Sequence, residues 1–282
     1  MEKEEIQGLL EKIPGKTCVY YRNLVTGATI GIWEGLSMMA ASVIKIPILV
    51  EAFHQIRTGE HTKNEIYVLQ EGDKRPSCGC LNRMHAGLAL TYEDLCNLMI
   101  ILSDNSATNI LIGLLGGMDR INRDLRAMGY ETLQVNRLLF DREASARGIQ
   151  NYVTAGEIGD MLERMYRGSL VDGESSAEML DILKEQRLNG KFPFLFRDHI
   201  PIAHKTGEDD GITHDVGIFY AREPFVLCCM GNETDCPAFN RFMQELAWRL
   251  YQEQEAAQGG CLGTGSRQPG EGRPETAECE ET

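Results

Sequence analysis

A serine three residues ahead of a lysine is the first pairing in this chain that could do chemistry. The stretch Ala40-Ala41-Ser42-Val43-Ile44-Lys45-Ile46-Pro47 puts both on one face of a helix starting near Ser42, because side chains at i and i+3 are neighbours on a helix surface. A serine hydroxyl is a weak nucleophile until a base takes its proton. A lysine serves as that base when apolar burial or a second cation lowers its proton affinity. The helix start would also aim backbone N–H groups and the positive end of its dipole at whatever Ser42 attacks. The rest of the chain must then supply apolar walls, a second cation and a way of excluding water.

The elements that would hold this pair follow from periodicity. Ile6, Leu9, Leu10 and Ile13 recur at helical spacing, predicting a helix over 3–13 stopped by Pro14-Gly15. Residues 17–21 and 28–33 read as strands joined by a turn at 23–27, giving a hairpin. Residues 42–57 form a helix that is apolar nearly all round and therefore buried. Pro47 is tolerated only near the first turn of that helix, which places its start at or just before Ser42. The segment 58–89 is polar, glycine-dotted and without a clear period. Thr91 and Asp94 make a capping box for a helix carrying Leu95, Leu98, Met99 and Leu102. Further helices are expected near 106–115, 119–128, 154–167 and 175–186, with a long loop over 136–153. Residues 200–206, 213–220 and 225–230 then form a three-stranded meander, and 239–254 a closing helix.

The two strand groups make one sheet if the helical block is inserted between them. This predicts an α/β (α+β) two-lobed fold with an antiparallel five-stranded sheet flanked by helices. One lobe combines 1–58 with 199–255, and an inserted all-α lobe covers 59–198. The cleft between them holds the start of the Ser42 helix. Residues 256–282 are rich in Gly, Glu and Pro and read as a disordered acidic tail.

Composition narrows the function. The 282 residues carry a formal net charge of -14, with no basic stripe to neutralise phosphates, which argues against a nucleic-acid partner. No run approaches the roughly 20 apolar residues that span a bilayer. Met1-Glu2-Lys3-Glu4-Glu5-Ile6 lacks a basic start followed by an apolar core, so a cytoplasmic location is expected. The nine cysteines are odd in number and scattered, unlike a disulfide framework. Cys78-Gly79-Cys80 has no second ligand pair at zinc spacing, so no metal and no cofactor is expected. The oligomeric state is open.

Ser42-Val43-Ile44-Lys45 is S-x-x-K, Ser103-Asp104-Asn105 is S-D-N in a turn between two helices, and Lys205-Thr206-Gly207 is K-T-G at a strand end. S-x-x-K alone arises by chance; the three in this order and context are a strong signal. In these motifs, over about residues 15–253, the sequence resembles the class A β-lactamases and, more broadly, the penicillin-binding serine hydrolases. The resemblance implies that Ser42 is acylated, that Lys45 accepts its proton, and that Ser103 passes a proton to the leaving nitrogen. It implies Asn105 as a contact to the substrate amide and to Lys45. It assigns Lys205, Thr206 and Gly207 to the substrate-binding strand, with Lys205 and Thr206 meeting a substrate carboxylate. The backbone N–H groups of Ser42 and Glu208 would form the oxyanion hole. The implied substrate is a small anionic molecule, a β-lactam or another amide or ester.

Two departures bear on the mechanism. Class A β-lactamases carry an E-x-x-L-N glutamate on the long loop, where it activates the water that releases the acyl group. The loop 136–153 has no such motif. Glu143 is the candidate for that base, and Asp141 is the other loop carboxylate. Alternatively both are solvated charges or hydrogen-bond acceptors that close the loop. Glu185-Gln186-Arg187-Leu188-Asn189 spells the motif but sits at a helix end, twenty residues before Lys205, and reads as a decoy. The second departure is the missing leader, which keeps open an intracellular esterase or peptidase with the same site, or a non-catalytic binding module for β-lactams or peptidoglycan fragments. His204 and His214 flank the cleft strands, either to assist proton transfer or to make structural hydrogen bonds.

Overall fold

The computed structural model describes residues 1–196 and 199–256. In chain order, α1 (Lys3–Leu10) leads to β1 (Lys16–Asn23) and β2 (Thr29–Ile32), then to a two-residue strand, β3 (Met38–Met39), and α2 (Lys45–Thr58). Next come β4 (Ile66–Val68), β5 (Ala89–Thr91), α3 (Tyr92–Ile101), α4 (Asn105–Leu114) and α5 (Met118–Ala127). The long loop carries α6 (Arg142–Ala146) and β6 (Tyr152–Val153), and α7 (Ala155–Tyr166) and α8 (Gly173–Lys184) follow. The chain returns through β7 (Ile202–Asp209), β8 (Ile212–Phe219), β9 (Phe225–Asn232) and α9 (Cys236–Ala256).

The five-stranded sheet has the order β2-β1-β9-β8-β7 with every pair antiparallel. Sequence-distant strands are joined where β1 pairs with β9, for example Val19 with Cys229. β8 and β9 are buried at every position, which is why neither alternates apolar with exposed polar residues. One face carries α1 and α9 over a core of Ile6, Leu10, Phe219, Phe225 and Phe239. The other face carries α7. Gly159 of that helix lies against the Tyr20 ring, where an added Cβ would come within 2.3 Å, so only glycine lets the helix sit this close to the sheet.

The helix expected to open at Ser42 begins differently. Ala41–Ile44 is a 3-10 turn, and the α-helix starts at Lys45 with Pro47 in its first turn. A 3-10 turn has three residues per turn, so side chains at i and i+3 eclipse, and Ser42 and Lys45 align more closely than on an α-helix. α2 packs on α3, α4, α5 and α8. An all-round apolar helix needs cover on every side, and these helices provide it.

The capping box at Thr91 and Asp94 is present, with Asp94 N donating to Thr91 Oγ1 at 3.0 Å and Thr91 N to Asp94 Oδ2 at 2.9 Å. The aperiodic segment 58–89 contains β4 and short 3-10 turns at 71–73 and 81–83. The expected acidic tail lies outside the described residues, apart from Ala256, which ends α9. Among the described residues no helix is long and apolar enough to cross a membrane.

Candidate active site

Three elements converge on Lys45. Its Nζ lies 3.1 Å from Ser42 Oγ, 2.9 Å from Ser103 Oγ, 2.7 Å from the Ser103 carbonyl and 2.9 Å from Asn105 Oδ1. An ammonium has three protons for these four oxygens, whereas a neutral amine donates two hydrogen bonds and accepts one from a hydroxyl. Lys45 is fully buried. That burial, reinforced by the charge of Lys205, holds its proton affinity well below that of an ordinary lysine. The neutral amine is the form that can take the Ser42 proton.

Lys205 completes the arrangement. Its Nζ donates to Ser103 Oγ at 3.1 Å and to the Thr206 carbonyl at 2.9 Å, so the Ser103 hydroxyl is shared by two lysines. Burial lowers the Lys205 pKa to about 7, opposed by the Asp215 carboxylate and assisted by Lys191. Thr206 is buried beside it. Gly207 lets β7 pass close to the Ser42 turn: an added Cβ would lie 3.2 Å from Val43 Cγ2 and 3.3 Å from the Ala40 carbonyl. Glu208 follows, lining a cleft of about 550 Å³ together with Ser42, Asn105, Cys78 and Leu139.

Asp104, the middle residue of S-D-N, binds backbone. It is buried and accepts four backbone N–H bonds, from Ser106 (2.8 Å) and Ala107 (3.0 Å) at the start of α4 and from Cys80 (2.7 Å) and Leu81 (2.8 Å) across the turn. It thereby ties the 78–81 segment to the turn that carries Ser103, whose φ of 53 is left-handed. Gly79 makes the close approach possible, having φ +100 and space for no Cβ, which would fall 2.2 Å from Asp104 Cγ. Gly79→Ala should therefore cost about 2–4 kcal/mol in a urea titration.

The long loop is pinned by two asparagines that the sequence reading did not single out. Asn109 Nδ2 donates to the Leu139 carbonyl at 2.9 Å and its Oδ1 accepts the Leu139 N–H at 2.8 Å. Asn151 Oδ1 accepts from the N–H groups of Asn136 (2.8 Å) and Arg137 (2.9 Å). The available signal was the position of Asn109, one helical turn after Asn105 and just before the apolar run Ile110–Ile112. Glu143, the sequence candidate for a deacylating base, is exposed on the first turn of α6 and is not among the residues lining the cleft. Its place on a cleft-facing loop does not bring it inward, because Ala144 is the buried side of that short helix. Asp141 does line the cleft, but its Oδ1 caps α6 by accepting from Ala144 N at 2.9 Å.

The remaining candidates are accounted for by structural contacts. In the 185–189 match, Gln186 is buried and donates to the Ile100 carbonyl, and Asn189 meets His204; none lines the cleft. His204 Nδ1 lies 2.9 Å from Asp215 Oδ1, behind the sheet. His214 Nε2 donates to the Met39 carbonyl at 2.8 Å while its Nδ1 accepts from Gly231 N at 3.1 Å, and burial lowers its pKa to about 4. It is a neutral tie between β8 and the strand before Ser42.

Known proteins share this architecture. The β-lactamase of Sphaerobacter thermophilus superposes with a TM-score of 0.83 at 25% identity, covering 90% of this chain and 98% of that one. PBP-A superposes at 0.82 and 26% identity over 90% and 95% of the two chains. A PBP-A variant solved as an acyl-enzyme complex with penicillin G matches at 0.82 and 25% identity, over 90% and 96%. Beta-lactamase L2 of Stenotrophomonas maltophilia is 32% identical over 104 residues, 36% of this chain and 34% of that protein, so the match spans about a third of the relative's length. The model of the Beta-lactamase enzyme family matches residues 2–254; with the five-stranded sheet and Ser42 beside the buried Lys45, the chain belongs to that family.

Proposed function

We propose that the protein is a serine acyl-transfer enzyme that β-lactams acylate on Ser42 and that releases the acyl group slowly. The observation that carries this reading is the single buried amine within hydrogen-bond reach of both the Ser42 and the Ser103 hydroxyls. Lys45 Nζ accepts the Ser42 proton as Oγ attacks the lactam carbonyl carbon. The backbone N–H groups of Ser42 and Glu208 receive the developing oxyanion, where each such donor supplies about 3 kcal/mol. The C–N bond breaks as the ring nitrogen takes a proton from Ser103 Oγ, which Lys45 or Lys205 replenishes. An ester on Ser42 remains.

Hydrolysis of that ester needs a base for the attacking water. Slow release is supported by the long loop, where Glu143 is exposed and off the cleft lining and Asp141, which lines the cleft, spends one carboxylate oxygen on the α6 cap. The adduct is therefore long-lived. Intact-mass measurement after mixing with benzylpenicillin tests this: an adduct that persists for minutes to hours is expected, and turnover with no accumulated adduct would refute slow release.

Lys205 gives the reading a pH dependence. Its pKa of about 7 means that it is cationic below neutrality and loses its charge as pH rises. A substrate carboxylate docked on it loses a charge-assisted hydrogen bond, worth about 1.5 kcal/mol. The pre-covalent dissociation constant for benzylpenicillin should rise about tenfold between pH 7 and 9, measured by stopped-flow saturation kinetics. Lys45 titrates in the opposite sense, since deprotonation makes it a base, so the acylation step itself should not slow over that range.

A further inference from the structure

Behind the Lys205–Glu208 edge sits another buried lysine, to which the reaction as derived gives no role. Lys191 is 2% exposed and precedes the 3-10 turn Phe192–Leu195. Its Nζ donates to the Gly207 carbonyl at 2.9 Å and to the His214 carbonyl at 3.0 Å, and pairs with Glu208 Oε1 at 3.1 Å. A buried ammonium is costly unless its protons are all used, and here three protons meet three oxygens. Two of those oxygens belong to consecutive residues of β7.

The Gly207 carbonyl and the Glu208 N–H are the two ends of one planar trans peptide, so they point in opposite directions. An ammonium that grips the oxygen from behind the strand aims the N–H forward, into the cleft. It also polarises the amide and makes that N–H a stronger donor. The grip matters at this position because glycine permits backbone rotations that other residues resist. The segment carrying Lys191 is itself anchored: Phe192 N donates to Asp215 Oδ2 at 3.0 Å, and Asp215 Oδ1 faces His204. The charged and titratable groups around Lys191 are Glu208, Asp215, Lys205, His214 and Cys236.

We propose that Lys191 is a positioning residue for acylation: it holds the Gly207–Glu208 peptide from behind β7 so that the Glu208 N–H stands ready for the oxyanion. This rests on the acylation reading above. A positioning role predicts a split that a merely structural role would not give. Lys191→Met should lower the benzylpenicillin acylation rate constant about 100-fold, with pre-covalent binding changed by less than about threefold. Lys191→Arg, which keeps the charge and the donors, should recover the rate to within about tenfold of wild type.

The amide nitrogen signal of Glu208 in a ¹⁵N–¹H spectrum reports the same peptide without chemistry. It should move in Lys191→Met, stay near its wild-type position in Lys191→Arg, and leave the signals of Ile202 and Ala203 in place. If Lys191→Met does not fold, Glu208→Gln decides. It takes the charge from one of the three grips, at an exposed side chain, and should slow acylation about threefold to tenfold at an unchanged melting temperature. An unchanged rate in the folded variants with an unmoved Glu208 amide overturns the proposal. A wild-type protein that forms no penicillin adduct overturns the acylation reading instead, and the amide signal still decides whether Lys191 holds the peptide.

Discussion

Lys45→Met should slow acylation of Ser42 by benzylpenicillin about 10³-fold or more while leaving the protein folded. The kinetic loss follows from position. Lys45 Nζ is the basic nitrogen within hydrogen-bond distance of Ser42 Oγ, at 3.1 Å, and it also contacts Ser103 Oγ. Methionine has similar length and no lone pair of comparable basicity, so the Ser42 proton has nowhere to go. The stability balance has two opposing parts. Lys45 is fully buried, and replacing a buried polar amine by an apolar side chain of similar volume relieves desolvation. Against this, the Ser103 carbonyl and Asn105 Oδ1 lose their donor, at about 1–3 kcal/mol for a buried group left unpaired. The net change should stay within about 2 kcal/mol, so a thermal melt separates lost chemistry from lost fold. A variant acylated within about tenfold of the wild-type rate would remove Lys45 from the role of base.

Leu139→Glu should do the reverse at the second step and shorten the life of the adduct about 100-fold or more. Leu139 lines the cleft that Ser42 opens into, and Asn109 clamps its backbone on both sides, at 2.9 and 2.8 Å. A carboxylate there would rise from a fixed piece of loop into the space the hydrolytic water must occupy. Neither natural loop carboxylate has that placement. Leu139 is 8% exposed, so the substitution trades an apolar contact for a charge at the cleft wall, and about 1–3 kcal/mol of stability should be lost. Adduct decay followed by mass after removing excess penicillin measures the effect. An adduct as durable as in the wild type would mean that a base at the loop wall is not what limits release.

The parts of this site that were legible in the sequence are those set by short spacing. Ser42 and Lys45 are three residues apart, and any tight helical turn aligns them. The sheet was legible because its strands are apolar runs and the insertion between them is long and helical. The loop was not. Whether Glu143 or Leu139 faces Ser42 depends on how β6 pairs with β3, Met38 with Val153, and on the clamps from Asn109 and Asn151. Those contacts join residues that are distant in the chain and of types with weak preferences. The buried role of Asp104 was hidden for the same reason, since two of its four partners, Cys80 and Leu81, lie on another segment. His204 was hidden in the same way, since its partners Asp215 and Asn189 lie on other segments.

The central claim is that Ser42 is the atom acylated. Peptide mapping of the protein after brief exposure to benzylpenicillin tests it most directly, with Ser42→Ala treated in parallel. One adduct is expected, on the peptide that contains Ser42, and none in the variant. An adduct retained in Ser42→Ala, or carried by another cleft nucleophile such as Cys78, would contradict it.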